Sequence, residues 1–148
     1  MSLPLSVALA QCQRHAQLMT DAMGKLPAHW TAQLLPAADE QALLLLDRFV
    51  LRCSKLQDTL GAQVLRAFAV QILREPVEDA ALADVLNLLE KHGFLTANDW
   101  AQQREIRSAL THEYPDDADR QAAALSAAQL AAMQLSAWLS VLVAKFKI

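Results

Sequence analysis

Two residues in the second half of the chain have the types and the spacing to act on a phosphate ester. Arg107 carries a permanently charged, planar group that binds phosphate oxygens, and His112 changes its protonation near neutral pH. On a helix, the guanidinium reaches across one turn toward the histidine ring. The pair suffices to cleave RNA without a metal: His112 moves the proton of the attacking 2′-hydroxyl, and Arg107 stabilises charge on the phosphate.

Neighbouring polar residues extend this pair along the same helix. Arg104 lies on the face of Arg107, and Ser108 lies four residues before His112 on its flank. Tyr114 follows Arg107 by seven residues, so the two nearly eclipse each other as far as the helix persists. The predicted outward face therefore combines two arginines, a histidine and a tyrosine, with a serine in support.

The same residues also have a purely structural interpretation. Cations near a helix C-terminus stabilise the helix by about 0.3–1 kcal/mol through its dipole. Tyr114 alternatively packs its ring over the helix end beside Pro115. The spacing of these residues leaves both interpretations open.

The elements that must position this face are helical. Apolar residues recur every three or four positions along a long segment that is predicted to end at Pro76: Leu46, Phe49, Cys53, Leu56, Leu60, Val64, Phe68 and Ile72. The last segment, which opens at Ala118 and Asp119, repeats the pattern at Leu125, Ala128, Ala132, Leu135, Leu139, Leu142 and Phe146. A first helix is predicted over about Leu5 to Leu26.

Two further helices are predicted between the long ones. The first follows Pro76, where Glu78 and Asp79 favour a helix N-terminus through the dipole, and Gly93 closes it. The second starts at Thr96 and carries the reactive face. It is predicted to stop at Pro115, because the residue before a proline disfavours the helical region.

These elements predict an all-α fold, an antiparallel up-and-down bundle of about five helices. No alternation typical of strands occurs, and the length of 148 residues suits a single domain over 1–148. Hydrophobic residues make up 54% of the chain, which excludes a disordered protein. The formal net charge of −3 argues against a protein that binds nucleic acid over its whole surface, so any RNA contact must come from a local patch.

The sequence indicates neither a metal site nor a cofactor. The four histidines are scattered and no Glu-x-x-His pair occurs, although a metal centre in a helical bundle needs such pairs. Glycine-rich phosphate loops and nucleophile elbows are also missing from the sequence. Cys12 and Cys53 lie within apolar helical patterns and are predicted to be buried thiols, with a disulfide as the alternative.

The chain is interpreted as soluble and cytoplasmic. Its apolar start, MSLPLSVALA, lacks a basic segment and continues into a helix rather than into a cleavage site. The leucines from Leu43 to Leu46 are bracketed by Glu40 and Asp47, and we expect no membrane span.

The stretch RSALTHEYP resembles the hallmark of the HEPN superfamily, and more narrowly the Arg-x4-His-x-Tyr form found in HepT-like toxins. Arg107, His112 and Tyr114 occupy the motif positions. The segments LLLLDRFVLRCSKLQDTLG and HGFLTANDWAQQREIR are also similar to the family, so that the resemblance covers about Glu40 to Asp117. One departure is Ser108, where the family usually has Asn; the side chain stays polar but has one donor instead of two.

The resemblance implies an all-helical ribonuclease toxin encoded beside an MNT-type minimal nucleotidyltransferase antitoxin. It implies Arg107 and His112 as the catalytic residues. We assign supporting roles to Arg104, which shares the helical face of Arg107, and to Ser108, whose hydroxyl can orient His112. The resemblance also implies a homodimer whose two motifs line one cleft, and Tyr114 as the residue to which the partner enzyme adds AMP. The alternative is a non-catalytic helical partner, or substrate-binding subunit, of a nucleotidyltransferase, in which the Arg–His pair serves binding only.

Overall fold

The computed structural model describes residues 3–35, 39–112, 114 and 116–148, and within these ranges the chain is helical and contains no strand. The all-α prediction is therefore confirmed. The helices are α1 (Leu5–Met23), α2 (Glu40–Thr59), a π-helical segment (Leu60–Val64), α3 (Leu65–Gln71), α4 (Leu82–Lys91), α5 (Ala97–Thr111) and α6 (Ala118–Phe146). Because α2, the π-helical segment and α3 follow one another without a break, the described chain forms five continuous helical rods, as predicted.

Four of these rods form an antiparallel bundle, and α1 pairs with α2 along its length. The backbone N–H of Leu3 donates to Oε1 of Gln63 at 3.3 Å, near the start of α1. Farther along α1, Nδ1 of His15 lies 3.1 Å from Nη1 of Arg52. Since residue numbers rise on one helix as they fall on the other, α1 and α2 run in opposite directions.

The same reasoning orients α5 between α2 and α6. The side chain of Gln57 donates to the carbonyl of Gln103, while Gly61 lies against the ring of Trp100, so α5 runs antiparallel to α2. Against α6, the rings of Trp100 and Trp138 lie 6.3 Å apart, whereas the later residue Gln103 donates to the earlier residue Gln134. α5 therefore also runs antiparallel to α6. α6 also packs on α1, which closes the bundle, and α4 packs on α3 and α5 at one end.

Side chains cap the N-termini of three helices. Each accepts a hydrogen bond from a backbone N–H three residues later, at 2.8–3.0 Å, and so satisfies a donor that the helix leaves free. The capping residues are Asp39 for α2, Thr96 for α5 and Asp117 for α6. The predicted starts of the last two helices are therefore confirmed.

The prediction for the N-terminus of α4 was wrong. The helix begins at Leu82, so Glu78 and Asp79 lie in the turn before it. The physical reason is that this turn is anchored elsewhere, because Nη1 of Arg66 donates to the carbonyl of Val77 at 2.7 Å, and Val77 is buried. The predicted C-terminal end of the helix is confirmed, because Gly93 follows α4 with a φ of +82°, a conformation that residues other than glycine disfavour.

The end of α5 also differs from the prediction, because the helix stops at Thr111 instead of continuing to Pro115. Oγ1 of Thr111 donates to the carbonyl of Ser108 at 3.1 Å, a local bond that competes with the helical pattern. His112 then has an extended ψ of 139°. The proline itself lies outside the described residues, and His112 and Tyr114 line a different cavity from Arg107.

The predicted apolar stripes form the core. Every residue of the stripe that runs from Leu46 in α2 to Phe68 in α3 is buried, and Ile72 packs against the core from a partly buried position. Cys12 and Cys53 are free, buried thiols, as expected. Burial raises the pKa of Cys12 to about 12 and that of Cys53 to about 11, so both remain protonated at neutral pH.

The expectation that no segment of the chain is long and apolar enough to span a membrane was wrong for α6. No charged residue occurs from Gln121 to Ala144, and the most apolar 18-residue window of α6 has a mean hydropathy of 1.5. By length and composition this helix can cross a membrane. Of that window, 44% is buried within the bundle, and the central helix of a helical bundle passes the same test.

A chain of buried amides joins α2, α5 and α6. Gln103 is 2% exposed, and its side chain donates to the carbonyl of Ala131 at 3.0 Å and to Oε1 of Gln134 at 2.7 Å. Its own carbonyl accepts from Nε2 of Gln57 at 2.9 Å, and Gln57 is 5% exposed. Buried amides are costly unless they are bonded, so these contacts define one register of α5 against both neighbours.

We expect Gln103→Ala to lower the free energy of unfolding by about 1–3 kcal/mol, because it removes two buried hydrogen bonds and leaves a cavity. Urea unfolding followed by circular dichroism measures the change. Gln102→Ala is the matched control, since Gln102 is the exposed neighbour on α5 and its loss should leave stability within about 0.5 kcal/mol of the wild type. Equal stabilities of the two variants would contradict a structural role for the buried amide.

Candidate functional site

Two arginines of α5 line a cavity on the side that faces α2. Arg104 and Arg107 are one helical turn apart and both reach this cavity, which has a volume of about 270 Å³. Its remaining lining residues come mainly from α2, the π-helical segment and the start of α5: Gln57, Asp58, Gly61, Ala62, Leu82 and Trp100. The predicted common face of the two arginines is thus present, and we call this space the arginine cavity.

The guanidinium of Arg107 is paired with a carboxylate across the cavity. Nη1 of Arg107 donates to Oδ1 of Asp58, and Nη2 donates to Oδ2 at 3.1 Å. Such a bidentate pair holds the planar guanidinium in one orientation. The two side chains are 33% and 55% exposed, respectively, so water reaches the pair. Sequence reasoning assigned no role to Asp58, because 49 residues separate it from Arg107 and only the packing of α5 on α2 brings them together.

The other predicted residues line a second cavity, of about 340 Å³, at the C-terminal end of α5. Ser108, His112 and Tyr114 contribute to it together with Glu105, Ala109 and Arg120, and we call it the histidine cavity. The rings of His112 and Tyr114 lie 5.8 Å apart with 35° between their planes. The expected proximity of Ser108 and His112, four residues apart, is therefore observed.

Arg120, in the first turn of α6, is a cation that sequence reasoning missed. Its Cζ atom lies 4.6 Å from the centre of the Tyr114 ring, a distance typical of a cation–π contact. The backbone N–H of Arg120 is bonded to the capping residue Asp117, which fixes where this side chain begins. The sequence signal was a lone arginine after three aspartates, which by itself is typical of an ordinary helix start.

The structure thus divides the motif between two cavities. Arg104 and Arg107 line the arginine cavity, whereas Ser108, His112 and Tyr114 line the histidine cavity. The expected meeting of Arg107 and His112 over one point, and the eclipse of Arg107 by Tyr114, both assumed a helix that continues past Thr111. Because α5 ends there, His112 shares its cavity with Arg120 rather than with Arg107.

Other reactive groups are not arranged for chemistry. The Arg107 charge partly offsets the effect of burial on the pKa of Cys53, yet that thiol stays protonated and is no nucleophile at neutral pH. His15 lies beside Arg52, and burial, followed by the charges of Arg52 and Lys55, lowers its pKa. His92 pairs with Glu75 at 3.2 Å. Within the described ranges, no three His, Cys, Asp or Glu residues are grouped in a way that could hold a metal ion.

A larger cavity lies away from the motif, between α1 and α6. Its volume is about 630 Å³, and small and apolar residues such as Ala16, Leu139 and Val143 form much of its wall. None of the motif residues lines it. Size alone therefore does not identify the candidate site, which we assign from its chemistry to the arginine and histidine cavities.

Comparisons with known proteins add no relative from which a function could be transferred. No family model matches the chain, and neither the curated proteins nor the solved structures contain a significant match.

Proposed function

We propose that the protein is a metal-independent endoribonuclease of the HepT-like type, acting in the cytoplasm as a homodimer. Arg107 and His112 are its catalytic residues, and Arg104 and Ser108 support them. A cognate MNT-type nucleotidyltransferase neutralises the enzyme by transferring AMP to Tyr114. The proposal rests on the Arg-x4-His-x-Tyr motif and on the two open cavities that its residues line.

The observation that carries the proposal is the histidine cavity. An exposed histidine, a serine hydroxyl and an arginine surround a space large enough for a nucleotide phosphate. The arginine cavity lies on the opposite flank of the same short stretch of α5 and adds two further cations. Three arginines and a histidine thus gather locally, together with the carboxylates of Asp58 and Glu105, on a chain whose formal net charge is −3.

The reaction follows from the chemistry of these groups. His112 takes the proton of the RNA 2′-hydroxyl, whose oxygen attacks the adjacent phosphorus while the bond from phosphorus to the 5′-oxygen breaks. The leaving oxygen takes up a proton, and the products are a 2′,3′-cyclic phosphate and a 5′-hydroxyl. Arg107 stabilises the charge that develops on the non-bridging oxygens. Because RNA must then reach Arg107, the guanidinium has to exchange its carboxylate partner Asp58 for a phosphate.

An exposed apolar face on α2 supports the dimer. Leu44 and Leu51 are 63% and 50% exposed and lie seven residues apart, so they share one side of α2. Asp58 follows after seven more residues on that same side, beside Arg107. A second copy that covers the two leucines lies next to the arginine cavity, and we propose a two-fold arrangement that brings both copies of this cavity to a common cleft. Burying two leucines on each protomer is favourable by the hydrophobic effect.

The surroundings of Tyr114 support its role as the site of AMP transfer. The residue is half-buried at the rim of the histidine cavity, and Arg120 covers one side of its ring. A phosphate on the Tyr114 hydroxyl would bring negative charge next to Arg120 and His112. The attached nucleotide would then fill the cavity by bulk and exclude the phosphate of RNA.

One observation favours the alternative, in which the protein is a non-catalytic helical partner of a nucleotidyltransferase. Arg107 is engaged with Asp58 and lines a different cavity from His112, and Ser108 replaces the usual amide beside the motif arginine. In that case the two cavities serve only to bind the partner or a nucleotide. Binding of the nucleotidyltransferase without any RNA cleavage would favour this alternative over the nuclease.

Arg107→Ala and His112→Ala should each lower RNA cleavage by about 10²–10⁴-fold, because one removes phosphate stabilisation and the other removes proton transfer. Initial rates on a fluorescent RNA, with mass spectrometry of the cyclic phosphate product, measure the loss. His29→Ala is the control, since His29 is also exposed but lies outside both cavities. Wild-type rates in both motif variants would rule out this mechanism.

The α2 face makes a separate prediction about assembly. The double variant Leu44→Gln/Leu51→Gln should be monomeric in light scattering at concentrations where the wild type is a dimer, because it places amides in the interface. The matched control is Leu130→Gln/Met133→Gln, which alters two comparably exposed residues of α6. Dissociation by the α6 variant with a persistent dimer in the α2 variant would locate the interface elsewhere.

The final prediction concerns Tyr114. Co-expression with the neighbouring nucleotidyltransferase should add mass in steps of one AMP, mapped to Tyr114 by peptide mass spectrometry. Tyr114→Phe keeps the ring and its contact with Arg120 but lacks the acceptor oxygen, so it should gain no AMP and should resist neutralisation. Modification and silencing of the phenylalanine variant at the wild-type level would exclude this residue as the switch.

A further inference from the structure

The pairing of Arg107 with Asp58 is unusual within this protein. The chain has 13 lysines and arginines and 16 aspartates and glutamates. Among the described residues, however, this is the single ion pair between an arginine or lysine and a carboxylate, and the other pair involves His92. The arginine to which the motif assigns phosphate binding, Arg107, is therefore the one that is paired with a carboxylate, that of Asp58.

The arginine cavity has the shape and the charge to accept an anion next to this pair. Arg104 is exposed and lines the cavity beside Arg107, so an anion between them would meet two guanidinium groups. Gly61 forms part of the wall, and a side chain there would come within 3.0 Å of the Trp100 ring. The lack of a side chain at this position therefore leaves room for the indole, which forms another part of the cavity wall.

The ion pair is also easy to exchange. Asp58 is 55% exposed, and ion pairs in contact with water contribute little to stability because solvent screens both charges. The bidentate contact uses the Nη1 and Nη2 groups of Arg107, and a phosphate offers the same fork a matching pair of oxygens. A phosphate that enters the cavity can therefore take the place of the carboxylate with similar geometry.

We propose that the arginine cavity is a phosphate-binding subsite between Arg104 and Arg107, and that Asp58 is a positioning residue that competes with the phosphate for Arg107. Asp58 holds the guanidinium in a defined orientation in the free protein and weakens the attraction of this site for anions. RNA binds by displacing it. The identification of the bound phosphate as that of RNA rests on the proposed ribonuclease function, whereas the competition itself concerns any phosphate.

The test is Asp58→Asn, which keeps the size of the side chain and one acceptor oxygen but removes the charge. The KM for a fluorescent RNA should fall roughly fivefold, the effect of one unit charge a few ångströms away in water, while kcat stays at the wild-type value. Asp47→Asn is the matched control, because Asp47 is an exposed residue of the same helix and its loss changes the net charge equally. The control should leave KM unchanged.

Three results would overturn the inference. An equal fall in KM for the Asp47 and Asp58 variants would indicate a general charge effect rather than competition at Arg107. A lower kcat with an unchanged KM in the Asp58 variant would indicate that the carboxylate orients Arg107 for the chemical step. A lower melting temperature with unchanged kinetics would indicate a purely structural contact between α2 and α5.

A second measurement separates this inference from the proposed function. Inorganic phosphate is titrated into the wild type and into the Asp58→Asn variant while the Nε–H signal of Arg107 is followed by NMR. Tighter binding by the variant, weakened again by Arg104→Gln, supports the subsite even if the wild type cleaves no RNA, in which case only the ribonuclease proposal fails. Equal phosphate affinities of wild type and variant would overturn the subsite even if the wild type cleaves RNA.

Discussion

The buried amide of Gln103 is the contact on which the candidate site depends. It lies where α2, α5 and α6 meet and donates to the backbone and to a side chain of α6. The backbone carbonyl of Gln103 accepts a hydrogen bond from the side chain of Gln57 of α2. A shift of α5 by one residue would leave these buried donors without acceptors, and the free energy of unfolding would fall by the desolvation cost of each unpaired group. Apolar packing alone tolerates small shifts, so the amides determine the register that the apolar stripes leave open.

The residues of the arginine cavity follow from that register. Arg107 lies one turn beyond Gln103 and Asp58 lies next to Gln57, so the two hydrogen-bonded glutamines bring the ion pair into place. The π-helical segment begins two residues after Asp58, and wider turns of this kind are frequent at functional sites. Gly61 within it accepts the ring of Trp100, so the same stretch both packs against α5 and forms a wall of the cavity.

The early end of α5 divides the motif residues of one short stretch between two cavities. Arg104 and Arg107 face α2 and the arginine cavity, whereas Ser108, His112 and Tyr114 line the histidine cavity near the start of α6, where the backbone of His112 is extended. A single protomer therefore presents the arginine pair and the histidine in different cavities. The proposed reaction therefore requires that Arg107 leave Asp58, and the exposed leucine face beside Asp58 is where we propose that a second copy docks.

The sequence by itself determined the helical class, the apolar stripes, the starts of α5 and α6, the closure at Gly93 and the types of the reactive residues. These features follow from local chemistry: helical periodicity, capping side chains and the conformational freedom of glycine. Tertiary structure alone decided that Asp58 pairs with Arg107, that Arg120 covers Tyr114, and that Arg107 and His112 line different cavities. The reason is that Asp58 and Arg107 lie on separate helices, whose relative register depends on buried amides. The positions of His112 and Tyr114 depend on where a local hydrogen bond ends α5, and no periodic pattern in the sequence encodes either feature.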